Sequence, residues 1–232
     1  MKKNTLITYA CLLLVAAITV VAGQQLAQQK TNIRVWDWAA WALLLAGLPF
    51  ALLQQPAGLP DWWQPGISNK KRILLPLLTG LLFAIMDVIV FVVILHPQPY
   101  ESMPPFLQPF PYSVGLYVSG AFEVEIFYRL IPLTLVLCIA KKAKASAKTW
   151  NILFWLLAVL TALREPLEQL SDGAVWVLVY AFVTGFAMNF MQAVFYRRAG
   201  FMASLFTRLG HYMLWHILLG IYVEYVQLAY LN

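Results

Sequence analysis

A succession of apolar runs, each about the length needed to cross a bilayer and separated by short basic segments, constrains this chain more than any other feature. A membrane-spanning helix needs about 20 apolar residues. Seven such runs are present, at 5–23, 35–54, 73–96, 113–140, 150–170, 174–196 and 201–229. The last is long enough to bend or break near Arg208-Leu209-Gly210, because glycine tolerates irregular backbone, and a break there would make eight. Pro132 and Pro166 each remove a backbone donor and are expected to kink their helices. The expected fold is an all-α polytopic membrane helix bundle of about seven transmembrane helices, in a single transmembrane domain over 1–232.

Composition agrees. Residues are 62% hydrophobic and 11% charged, with a mean hydropathy of +0.73, whereas soluble domains carry roughly 25% charged residues. The aromatic share is 15%, and many of the nine tryptophans fall close to the expected interfaces, as an aromatic belt requires. The net charge of +6 does not indicate a nucleic-acid partner, because the basic residues lie in short loops and read as topology signals. Lys2-Lys3, Lys70-Lys71-Arg72, the run from Lys141 to Lys148, and Arg197-Arg198 all fall on one side of the bundle. Lys30 and Arg34 alone fall on the other. The positive-inside rule then makes the amino terminus cytoplasmic and, with seven spans, the carboxyl terminus external. The first run, about 18 residues, exceeds the h-region of a signal peptide and is read as an uncleaved span. Cys11 and Cys138 build neither a disulfide framework nor a CxxC pair.

Ionisable residues inside these runs point to a site. Each costs at least about 2.5 kcal/mol at the centre of a bilayer, and such residues usually line a cavity and mark function. Glu123-Val124-Glu125-Ile126-Phe127-Tyr128-Arg129 places Glu125 and Arg129 one helical turn apart on one face. Glu123, two residues from Glu125, projects elsewhere unless a π-bulge intervenes. At about 1.5 Å per residue from the nearest basic anchor, Arg129 lies about 18 Å deep and Glu125 about 24 Å. Arg208, His211, Arg164 and Asp87 come out at about 15, 20, 24 and 22 Å. Four spans thus place ionisable groups in one slab, and a shared polar cavity is the economical reading. Asp87 is expected to pair with Arg129 or Arg208, and Arg164 with Glu168. Asn189 and Gln192 read as interhelical hydrogen-bonding groups. His211 and His216, five residues apart, diverge by about 140° on a regular helix, which argues against a chelating pair from that helix alone. One histidine could still face the glutamates across the bundle and with them activate water or hold zinc.

The stretch Ala121-Phe122-Glu123-Val124-Glu125-Ile126-Phe127-Tyr128-Arg129-Leu130 resembles the first motif, EExxFR, of the CPBP family of CAAX-prenyl-protease-like and bacteriocin-processing-like (Abi) membrane proteins. The resemblance extends over a core of roughly 113–220, through a basic loop, an apolar helix, a glycine-containing helix and a last helix with histidine. It implies an intramembrane endopeptidase acting on a membrane-associated protein or peptide in a bacterial plasma membrane. Glu125 would activate water, Arg129 would orient it or contact substrate, and His211 would be the third-motif histidine. Glu123 accompanies them in the motif, and Asp87, Arg164, Arg208 and His216 would support the cavity. Zinc is the cofactor the resemblance admits, with His211 and Glu125 as candidate ligands. Three positions depart from the pattern. Val124 occupies the usual first-glutamate position, the fifth span has no histidine, and Trp215 stands where the third motif has asparagine or aspartate. These departures keep two other expectations open: a catalytically degenerate scaffold or partner-binding subunit, and a small transporter or lipid-binding protein.

Overall fold

A computed structural model describes residues 2–169 and 173–230. Among the described residues helix makes up 78% and no strand occurs. The helices are α1 (Lys2–Ala27), α2 (Trp38–Leu53), α3 (Lys70–Ile94), α4 (112–142), α5 (Ala147–Glu168), α6 (Val175–Ala199) and α7 (201–230). Their number and order match the seven apolar runs, although the final residue of the run 150–170 lies outside the described residues. α1, α3, α5 and α6 are each long and apolar enough to cross a membrane. α7 does not break at Gly210, so no eighth helix arises there.

Gly210 instead serves close approach. A Cβ on it would lie 2.2 Å from the Leu77 carbonyl oxygen, and one on Gly80 would lie 1.9 Å from that of Thr207. α3 and α7 therefore meet backbone to backbone, the arrangement small residues allow where helices pack without a hydrophobic driving force. α1 meets α4 in a related way, with Gly115 against the Thr19 hydroxyl and Gly23 against the Tyr112 ring.

Several turns are widened to π geometry, among them Ile126–Leu130 in α4 and Met213–Leu218 in α7. Pro132 removes the donor that the Tyr128 carbonyl would accept, and the widened turn lies just ahead of it. Pro166 stays within α5, packed against Gly185 of α6.

The basic segments gather at one end. Trp150 Nε1 donates to the Ala57 carbonyl at 2.9 Å, and the guanidinium of Arg197 lies over the rings of Trp150, Phe154 and Trp155. The α2–α3 connection closes this end by inserting Trp62, fully buried, against Phe201 and Tyr9. The carboxylate of Asp61 accepts from the Thr5 hydroxyl at 2.5 Å and the Trp62 amide at 2.7 Å. At the opposite end the proline-rich connection between α3 and α4 folds back over α7. Leu107 is buried there, Phe106 stacks on Trp215, and the Phe106 carbonyl accepts from Tyr117 at 2.6 Å.

Candidate functional site

A formally neutral cluster of two carboxylates and two guanidiniums ties α4, α5, α6 and α7 together. Arg208 is wholly buried, and its Nε donates to Glu125 Oε1 at 2.8 Å. Its terminal nitrogens form a fork onto both oxygens of Glu165, at 2.8 and 2.7 Å. They also reach Asn189 Oδ1 at 3.1 Å and Gln192 Oε1 at 3.3 Å. Arg129, equally buried, contacts Glu125 at 3.4 Å and donates to the Asn189 side chain and carbonyl. The second oxygen of Glu125 accepts from the Ser204 hydroxyl. Bidentate, charge-assisted bonds of this kind are the strong ones, and buried charge is tolerated because it is paired and hydrogen-bonded. The expected convergence of Glu125, Arg129 and Arg208 holds, as do the hydrogen-bonding roles of Asn189 and Gln192.

Glu165 is the member that sequence reading missed, and Arg164, which it placed with the cavity, lies outside the cluster. Arg164 points away from the cluster, about half exposed. It pairs with Glu168 at 2.8 Å as expected, and its guanidinium lies 4.3 Å from the Tyr128 ring centre. One step along a helix turns a side chain by about 100°, so Glu165 faces inward where Arg164 does not. A signal was present: Ala158, Thr161, Ala162 and Glu165 recur at three- and four-residue spacing, and all four are buried.

Asp87 pairs with neither arginine. Its carboxylate accepts from Tyr180 at 2.9 Å and lies 2.7 Å from His211 Nε2. Arg208 is held by Glu125 and Glu165 and Arg129 by Glu125 and Asn189, and Asp87 pairs instead with Tyr180 of α6 and His211 of α7. The expected divergence of the two histidines also fails. The π turn at Met213–Leu218 carries His216 back toward His211, and the ring centres are 6.5 Å apart. His216 Nδ1 lies 2.8 Å from the Phe106 carbonyl, and the ring stacks on Tyr117 at 4.2 Å.

Asp87, Glu165, Arg208, His211 and His216 all line one cavity of about 330 Å³ between α3, α5, α6 and α7. Phe83, Phe91, Phe182 and Trp215 form much of its apolar wall. Glu123 is not part of this site. It lines a separate cavity of about 80 Å³ with Arg34 and Trp36, and Tyr212 and His216 border both spaces. The π turn that follows Glu125 does not bring the two glutamates together.

The residues present do not fit zinc at the candidate ligands. Glu125 belongs to one network and His211 to another, and two guanidiniums beside Glu125 oppose a further cation. Among the described residues no three His, Cys, Asp or Glu side chains converge as a metal would require. Glu125 also differs from a general base, which must reach a water molecule or substrate proton: it is wholly buried, with both oxygens engaged. Compared with protein-family profiles, curated proteins and solved structures, the chain finds no match.

Proposed function

We propose that this chain is a seven-span membrane protein of CPBP-like architecture in which the glutamate–arginine cluster is a structural lock and the adjoining cavity binds a small ligand. It is a binding protein of the bilayer, not a glutamate-activated endopeptidase. The observation that carries this reading is the environment of Glu125, sealed from solvent between Arg129, Arg208 and Ser204. The polar cavity beside it supplies the binding half of the reading, since small-molecule sites are concave, mostly apolar and furnished with a few convergent polar groups. α2, α4 and α7 cross the bilayer together with α1, α3, α5 and α6. The lysine-rich end is cytoplasmic in a bacterial plasma membrane, and α7 ends outside. The endopeptidase reading keeps one specific support, the carboxylate–imidazole pair of Asp87 and His211 in the cavity wall.

Cysteine labelling in intact cells tests both orientation and access. In a background with Cys11 and Cys138 replaced, Thr184→Cys in the cavity wall is expected to react with a membrane-impermeant thiol reagent added outside. Ala143→Cys, in the basic loop, is expected to react only after permeabilisation. The reverse pattern would refute the orientation, and an unreactive Thr184→Cys in both conditions would refute an open cavity.

A further inference from the structure

We infer that the ligand of this cavity is a small organic cation, an ammonium carrying an apolar group, with the Asp87 carboxylate as its counter-ion. This rests on the binding reading above and names the chemistry it would serve. The four charges of the lock cancel: Glu125 and Glu165 against Arg129 and Arg208. Asp87 is left over. Its partners are a phenol and an imidazole, so no fixed positive charge compensates it. Of the two, only the imidazole can take up a further proton and become a cation.

Exposure sharpens the asymmetry. The side chains of Asp87 and Glu165 are 18% and 11% exposed, whereas that of Arg208 is 0%. The cavity therefore presents carboxylate oxygen, while the Arg208 guanidinium that borders it exposes no surface and is bonded to Glu125 and Glu165, an arrangement that repels anions and attracts cations. The walls suit the same ligand. Phe91, four residues beyond Asp87 on α3, and Trp215 on α7 hold their ring centres 5.8 Å apart at 58°, and both line the cavity with Phe83. Aromatic faces beside a carboxylate are a recurrent way to hold an ammonium, and such contacts strengthen when desolvated. With the ring proton of His211 on Nε2 toward Asp87, Nδ1 is a bare acceptor. It has no partner among the described residues, in a side chain that is itself buried. A ligand bearing N–H donors meets that need, and a volume of about 330 Å³ is at the small end of ligand sites.

Calorimetric titration of the detergent-purified full chain with phenethylammonium and with 3-phenylpropan-1-ol, a neutral molecule of similar shape, tests the inference. The ammonium is expected to bind at least tenfold more tightly than the alcohol. Asp87→Asn, which keeps the carbonyl for Tyr180, is expected to erase that preference while leaving the alcohol unchanged. Trp215→Leu is expected to weaken the ammonium more than the alcohol. Equal binding of both compounds to the unsubstituted chain would overturn the cation assignment and leave the binding reading standing. No saturable heat with either would overturn both. If Asp87→Asn fails to fold, the comparison of the two ligands on the unsubstituted chain and on Trp215→Leu decides the matter.

Discussion

About 100° of rotation around α5 separates Arg164 from Glu165, and it decides which of two adjacent charged residues joins the lock. Depth alone does not distinguish them, because both sit at nearly the same level in the helix. The distinction lies in the face: Glu165 continues the line of Ala158, Thr161 and Ala162, all buried, and Arg164 does not. The pairing of Glu125 with Arg129 was legible because four-residue spacing fixes it locally. The partner of Asp87 was not, because it depends on how the arginines are already spent by side chains from other helices. The two arginines should accordingly respond very differently to substitution. Arg164→Ala removes a half-exposed pair in the last turns of α5 and is expected to change stability by under about 1 kcal/mol. Arg208→Gln removes the ion-pair partner of Glu165 and leaves Glu125 only the longer contact to Arg129, and is expected to cost about 3–5 kcal/mol. Chemical unfolding of the purified variants side by side measures both. Similar losses in the two would contradict the assignment of Arg164 to the periphery.

At the level of the element, hydrophobic run lengths located every helix to within a few residues, while the irregularities inside helices escaped them. The π turns at Ile126–Leu130 and Met213–Leu218 have no pattern in apolar spacing, yet the second is what returns His216 to the neighbourhood of His211. Gly210 was visible as an oddity, and a break was its natural reading. Its role is contact, since the Leu77 carbonyl occupies the space a side chain would need. The same holds for Gly80 against Thr207, so Gly80→Ala is expected to push α3 from α7 and destabilise the fold by about 1–3 kcal/mol, the usual cost of overpacking. Gly120→Ala, where nothing lies within 4 Å of the added carbon, is the control and should be tolerated. Thermal unfolding of the two variants separates them. Equal midpoints would mean that α3 and α7 do not meet through their backbones.

For the whole molecule, the alternation of connections rich and poor in lysine and arginine forecast which loops share an end, and the contacts of Trp150, Ala57 and Arg197 join those loops directly. The resemblance to CPBP proteins directed attention to Glu125 and Arg129, and these residues do sit at the centre of the bundle. What it implied about chemistry depends on whether the carboxylate is free, which is a property of four helices together and of no motif in one of them. Here α4, α5, α6 and α7 converge on a neutral set of charges, and their separation would expose each charge to hydrocarbon. A double-mutant cycle on Glu125 and Arg208, read as unfolding free energy in detergent, tests this claim most directly. Glu125→Gln and Arg208→Gln are each expected to lose about 3–5 kcal/mol, and the double variant to lose less than the sum by about 1–3 kcal/mol. A Glu125→Gln protein as stable as the unsubstituted chain would contradict the lock and return that carboxylate to the role of a base held for chemistry.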